Sequence, residues 1–133
     1  MLIIDTSVLI DFFKGKNTPH TRFFSSFEDQ GGSIALPSFV VTETLQGAGN
    51  EREWKLLDTY LNSQEILYPD PTPDFLRKSG KIFYDLRRKG KTVRSTIDCM
   101  IAQISLDSDS VLLHNDIDFE IIKSIRPLKT WRP

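Results

Sequence analysis

Four acids in this chain could together hold a metal ion for phosphodiester chemistry: Asp5, Glu43, Asp98 and Asp116. Asp5 closes the apolar run Leu2-Ile3-Ile4, and Asp116 follows the apolar stretch Ser110 to Leu113. An acid just after a buried strand sits at the carboxyl end of that strand, where open parallel sheets place their sites. Glu43 falls on a helical pattern near Phe39 and Val40, and Asp98 opens another helix. Parallel strands would bring Asp5 and Asp116 to one sheet edge, and helices entering from that edge could add Glu43 and Asp98. Converging carboxylates repel and raise one another's pKa unless a cation lies among them. Oxygen donors with few His or Cys nearby suit Mg2+ or Mn2+ rather than Zn2+. One or two such ions activate water and stabilise the attacking and leaving oxygens of phosphodiester cleavage, with no covalent nucleophile. Taken singly, each acid has a plainer role as a cap or turn residue. Their joint placement carries the functional reading.

The elements that must position these acids read as alternating strands and helices. After the first strand, Thr6 or Ser7 is placed to cap a helix that ends near Lys14-Gly15. Pro19 suits the first turn of a second helix, edged by Phe23, Phe24 and Phe27 and stopped at Gly31-Gly32. Ser33 to Leu36 predicts a strand. Pro37 breaks it, and Ser38 is placed to cap a helix from Phe39 to about Gly47, with Val41, Leu45 and Ala48 as its stripe. Asn50 caps the next helix, whose Trp54, Leu57 and Leu61 point to the core. Glu65 to Tyr68 is a short strand. A long helix then starts at Thr72 or Asp74, with Phe75, Ser79, Ile82, Phe83 and Leu86 inward, and Gly90 ends it. Small Ser79 and Gly80 would admit another backbone. Ser95-Thr96-Ile97-Asp98 has capping-box spacing, with Asp in place of Glu or Gln, and leads a helix to about Leu106. The tail from Pro127 to Trp131 could add an edge strand. This alternation predicts an α/β fold with a parallel sheet and helices on both faces.

With 133 residues, 39% apolar and 26% charged, the chain suits one compact domain, residues 1–133. No apolar run is long enough for a bilayer, and Asp5 and Asp11 interrupt the apolar opening, which lacks a basic leader. The single Cys99 has no internal disulfide partner, as expected of a reduced, cytoplasmic setting. A net charge of −1 conceals a basic run from Arg77 to Arg94 in which Asp85 is the only acid. Such a run can meet phosphate, and it equally suits a solvated helix face. Its end, from Arg87, Arg88 and Lys89 to Arg94, leads directly into the Asp98 helix and is a candidate to guide phosphate toward the acids.

Four segments carry a family resemblance: Ile3 to Asp11 (IIDTSVLID), Ser38 to Gly47 (SFVVTETLQG), Leu86 to Gln103 (LRRKGKTVRSTIDCMIAQ) and Leu112 to Glu120 (LLHNDIDFE). In this order and over nearly the whole chain, they resemble PIN-domain proteins, and most closely VapC-type toxins of toxin–antitoxin pairs. The resemblance implies a three-layer α/β/α sandwich around a mainly parallel sheet. It implies a Mg2+-dependent ribonuclease, with Mn2+ as substitute, inhibited by a cognate antitoxin and usually homodimeric. By position, Asp5, Glu43, Asp98 and Asp116 match the family's acidic pocket, with Asp5 and Asp98 the firmest metal ligands. Asp116 matches a direct or water-mediated ligand, and Asp118 a less constant acid that could brace the loop. Thr6 and Thr96 match hydroxyl positions beside the pocket, and Asn115 is a polar neighbour.

The remaining chemistry-bearing residues favour plainer roles. His114 reads as a solvated or hydrogen-bonded strand-end histidine rather than one that touches substrate. Cys99 reads as a buried inert thiol. Trp54 and Trp131 suit packing better than base stacking. Phe12, Phe13, Phe23, Phe24 and Phe27 form either core or a groove for an amphipathic antitoxin helix. Two alternatives stand beside the nuclease. One is a non-catalytic α/β binding module whose acids are caps and turns. The other is a phosphotransferase using Asp5 as nucleophile, disfavoured because Ser7 stands where such sites carry a second Asp.

Overall fold

A computed structural model describes residues 1–133. Five strands form one sheet in the order β3-β2-β1-β4-β5. They are β1 (Leu2–Ile4), β2 (Ile34–Pro37), β3 (Ile66–Leu67), β4 (Val111–Leu113) and β5 (Lys129–Thr130). Every pairing is parallel, with Leu2 opposite both Ile34 and Val111. The three-layer α/β/α sandwich is thus present, and its sheet is wholly rather than mainly parallel. The three middle strands are apolar along their length because helices cover both faces.

The chain moves outward from β1 to β3 through four helices: α1 (Thr6–Phe13), α2 (Pro19–Asp29), α3 (Ser38–Gln46) and α4 (Glu51–Asn62). It then crosses to β4 through α5 (Pro73–Arg88) and α6 (Thr96–Asp107), and reaches β5 through α7 (Ile117–Lys123). Right-handed crossovers that reverse direction put these two helix groups on opposite faces. Accordingly α1 packs on α2 and α3, whereas α6 packs on α5 and α7. The direction reverses between β1 and β4. Their carboxyl ends therefore flank the crevice in which open α/β sheets build sites.

The core is continuous, with Ile3, Ile4, Leu9, Ile82, Leu86, Ile101, Leu112 and Phe119 fully buried. Phe75, Ser79, Ile82 and Leu86 form the inner face of α5, as their spacing requires, with Phe83 only half-buried. Gly90 leaves α5 at φ +72°, a conformation that costs glycine little.

Several local expectations are corrected. Asp5, not Thr6 or Ser7, is the N-cap of α1. Ser38 is already helical and Pro37 caps α3 without a side-chain bond; the deepest α3 residues are Val40 and Thr44, with Val41 and Leu45 half-buried. Trp54 is exposed, because only Leu61 of α4 is fully buried. Gly80 faces open space, so only Ser79 lies at the α5 contact. Ser95 caps α6 by accepting from the Ile97 N–H, and Asp98 makes no reciprocal capping bond. Finally, α7 has no counterpart among the predicted elements.

Candidate active site

Three helix N-termini meet at the β1/β4 crevice, and each carries an acid. Asp5 follows β1 and caps α1 by accepting from the Ser7 N–H at 3.0 Å. Asp116 follows β4 and caps α7 by accepting from the Asp118 N–H at 3.0 Å. Asp98 lies in the first turn of α6. Free N–H groups and the helix dipole favour negative charge at such ends, each by roughly 0.3–1 kcal/mol. Glu43 comes from the body of α3 and is held by Thr6, whose Oγ1 donates to Oε1 at 3.2 Å.

Ser7 joins the two strand ends. Its hydroxyl donates to Asp5 Oδ2 at 2.6 Å and accepts from the Asn115 N–H at 3.0 Å. Its sequence role was only that of a possible cap, and its spacing to Asn115 gave no warning of this bridge. The Asn115 side chain itself is exposed, and the backbone makes the contact. The Asp116 N–H donates to His114 Nδ1 at 3.1 Å, so neutral His114 carries its proton on Nε2. His114 is buried, and burial lowers its pKa. It serves as a strand-end hydrogen-bonding residue, the plainer of its two expected roles.

Asp98 is the least satisfied acid. It is 8% exposed, and no hydrogen bond reaches its carboxylate. Burial pushes its pKa up to about 7, helped by the charges of Asp5, Asp116, Asp118 and Glu43. Burial also raises Asp5, against the lowering effect of its Ser7 bonds. Glu43 is raised by burial and then by Asp5. The four predicted acids therefore lie near enough to feel one another's charge.

Asp118 joins them more closely than its expected bracing role implied. Single carboxylate oxygens of Asp98, Asp116 and Asp118 all lie within 4.8 Å of one another. Oxygens around one Mg2+ at about 2.1 Å would lie at most about 4.2 Å apart, so a slight contraction would seat an ion. The all-oxygen donor set fits Mg2+ or Mn2+. Asp5 and Glu43 border this triad.

The basic run divides. Arg87 and Arg88 end α5 on the exposed surface, with Arg87 over the Phe83 ring. Arg94, given no individual role by its sequence position, enters the acidic pocket and bonds Asp116 and Asp118. Thr96 is exposed at the start of α6, beside Asp98 in sequence but without a side-chain bond. Cys99 is fully buried and its thiol is pushed up to about 11, as an inert core residue requires. Trp131 stacks on Phe23 with ring centroids 4.5 Å apart. Among the phenylalanines, Phe24 is core, whereas Phe13 is partly exposed beside Tyr60.

A fully parallel sheet with acids gathered at its reversal point makes this an α/β protein with a candidate metal site. The chain belongs to the PIN domain family, whose model matches residues 2–124. It is 29% identical over 130 residues to Ribonuclease VapC11 of Mycobacterium tuberculosis, covering 97% of this chain and 96% of the relative. Ribonuclease VapC51 of the same organism is 26% identical over 92% of this chain and 85% of its own. Among solved structures, the chain is similar to the DNA-bound VapBC of Salmonella typhimurium at a TM-score of 0.74 and 25% identity, over 98% of each chain. VapBC2 of Rickettsia felis, bound to a promoter DNA fragment, matches at a TM-score of 0.75 and 20% identity, again over 98% of each chain. The four segments thus pointed to the right family, and relatives of VapC type carry the same fold.

Proposed function

We propose that this chain is a Mg2+-dependent endoribonuclease, the toxin of a toxin–antitoxin pair, restrained by its cognate antitoxin. Asp98 carries the reading. A carboxylate on a residue only 8% exposed, bonded by no group of the chain and repelled by four other acids, favours a proton or a cation. Capping explains Asp5 and Asp116, as a binding module would require, but it leaves Asp98 without a purpose. Relatives named as ribonucleases and neighbours solved as VapBC complexes support RNA as substrate and an antitoxin as partner.

Asp98, Asp116 and Asp118, with Asp5 and Glu43 beside them, would hold the ion. When bound, Mg2+ or Mn2+ supplies positive charge for a phosphodiester and acidifies water for hydrolysis. The chain's own residues prepare the pocket. Ser7 locks Asp5 against the β4 end, and Thr6 turns Glu43 inward. Glu43, made a stronger base by burial and by Asp5, is the candidate to take a proton from water. Arg87, Arg88 and Lys89 attract the RNA backbone from the adjoining helix end. No helix is long and apolar enough to cross a membrane. We place the toxin in the cytoplasm, working as a homodimer.

The test is cleavage of a panel of structured RNAs by the purified chain with Mg2+, with Mn2+ and with excess chelator. Cleavage should require the ion and disappear in Asp98→Asn. Undiminished cleavage in chelator, or by Asp98→Asn, would overturn the proposal.

A further inference from the structure

Arg94 is the one cation bonded to the acid triad, which it meets from the solvent side. Its backbone N–H donates to Asp118 Oδ2 at 3.0 Å, and its Nε donates to the same oxygen at 3.2 Å. Its NH2 group donates to Asp116 Oδ1 at 2.9 Å. The guanidinium therefore spans two of the three carboxylates that approach within 4.8 Å of one another.

Two features separate this from an ordinary structural ion pair. First, the partners differ in exposure: the Arg94 side chain is 74% exposed, whereas Asp118 is 4% exposed. The long side chain can leave for water at small cost, while the acid cannot. Second, the loop has its own anchor. The Arg94 N–H bonds Asp118 independently of the side chain, so departure of the guanidinium need not unfold the segment before α6. The bridge bonds Asp116 and Asp118 but not Asp98, so the third carboxylate stays open to a further cation.

We propose that Arg94 is a resident counter-ion that occupies the Asp116–Asp118 side of the pocket until a divalent ion enters. It then swings outward to hold a phosphate of the RNA backbone. This deepens the nuclease reading and rests on it. The physical reason is competition. A guanidinium and a divalent ion drawn to the same two carboxylates repel each other at short range, so each weakens the binding of the other. Once displaced, a guanidinium tethered at the pocket rim presents the fork geometry that matches a phosphate. In the ion-free chain the bridge relieves carboxylate repulsion, which keeps the pocket assembled.

The experiment compares the full chain with Arg94→Gln and Arg94→Lys, using Mn2+ titration followed by electron paramagnetic resonance of the free ion. Arg94→Gln should bind Mn2+ about fivefold tighter or more, the usual floor of a measurable coupling. Arg94→Lys, which keeps the charge but loses the fork, should fall between it and the wild type. Without metal, Arg94→Gln should melt below the wild type, and Mn2+ should remove the difference. At saturating Mn2+, it should raise KM for RNA more than it lowers kcat. Equal or weaker Mn2+ binding by Arg94→Gln, with the wild type binding normally, would overturn this role and leave the nuclease intact. Should Arg94→Gln fail to fold, the same comparison with Arg94→Lys decides. Absence of Mn2+ binding by the wild type would overturn both readings.

Discussion

Thr6 and Glu43 lie 37 residues apart, and a single hydrogen bond of 3.2 Å joins them across the α1–α3 contact. Glu43 has no other side-chain partner within hydrogen-bond distance, so this bond alone sets the direction of its carboxylate. Thr6→Val keeps the side-chain shape and removes the donor. The variant should lose about 1 kcal/mol of stability. Its kcat/KM for RNA should fall roughly tenfold, because a catalytic carboxylate that wanders loses its positioning advantage. Thr6→Ser, which restores the hydroxyl, should recover most of the rate. Thermal melts and cleavage kinetics of the two variants provide the check.

Asp98→Asn replaces a repelled, nearly buried charge with a neutral group of the same shape. Without metal it should melt several degrees above the wild type, on the scale of a few degrees for each kcal/mol in a chain of this size. Mg2+ should raise the melting temperature of the wild type but not of the variant. A variant that melts lower without metal would mean that Asp98 makes a favourable contact instead.

The pH dependence follows from the raised acids. Asp98 titrates at about 7 in the fold, above the roughly 3.9 of an unfolded aspartate, and Asp5 and Glu43 shift in the same direction. The folded chain then holds protons that the unfolded chain has lost, and stability must fall as pH rises through this window. The metal-free melting temperature should decline from pH 5 to pH 8. Saturating Mg2+ should flatten the decline, and Asp98→Asn should reduce it. Calorimetry across this range would read all three.

Ser7→Ala breaks the link between the β1 and β4 ends, since one hydroxyl serves both Asp5 and the Asn115 N–H. The loss leaves Asp5, only 4% exposed, with one donor fewer. A cost of about 1–3 kcal/mol is expected, the penalty for stripping a partner from a buried polar group. Cleavage should fall as well, because Asp5 loses its tie to the Asn115 backbone that leads into Asp116. Chemical denaturation alongside an RNA assay tests both effects.

Reversing Arg87, Arg88 and Lys89 to Glu should leave the fold unchanged, because all three side chains are exposed. KM for RNA should rise, with kcat at saturating RNA nearly preserved, and the salt dependence of KM should become shallower. Unchanged cleavage at all salt concentrations would remove this surface from the substrate path.

Much of the fold was legible because local patterns act over a few residues. The apolar run before Asp5, the inward stripe of α5 and the glycine at position 90 each announce an element without reference to distant chain. The family segments also delivered Asp5, Glu43, Asp98 and Asp116, and those acids do converge. Where the reading failed, tertiary packing outweighed a local signal. The apparent capping box at Ser95 did not close, because Asp98 faces the pocket rather than the helix end. Helix α7 went unpredicted because its 7 residues hold too few turns to show a period.

What the sequence by itself determined is the inventory: a parallel α/β alternation, and acids placed at strand ends and helix starts. Only the tertiary structure decided which side chains meet. Arg94 reaches Asp118 across 24 residues, and Ser7 reaches Asn115 across 108. The first pairing exists because α6 packs on α7, and the second because strand β1 lies beside β4 in the sheet. Strand order arises from long-range burial and crossover handedness, and neither leaves a mark on the residues nearby.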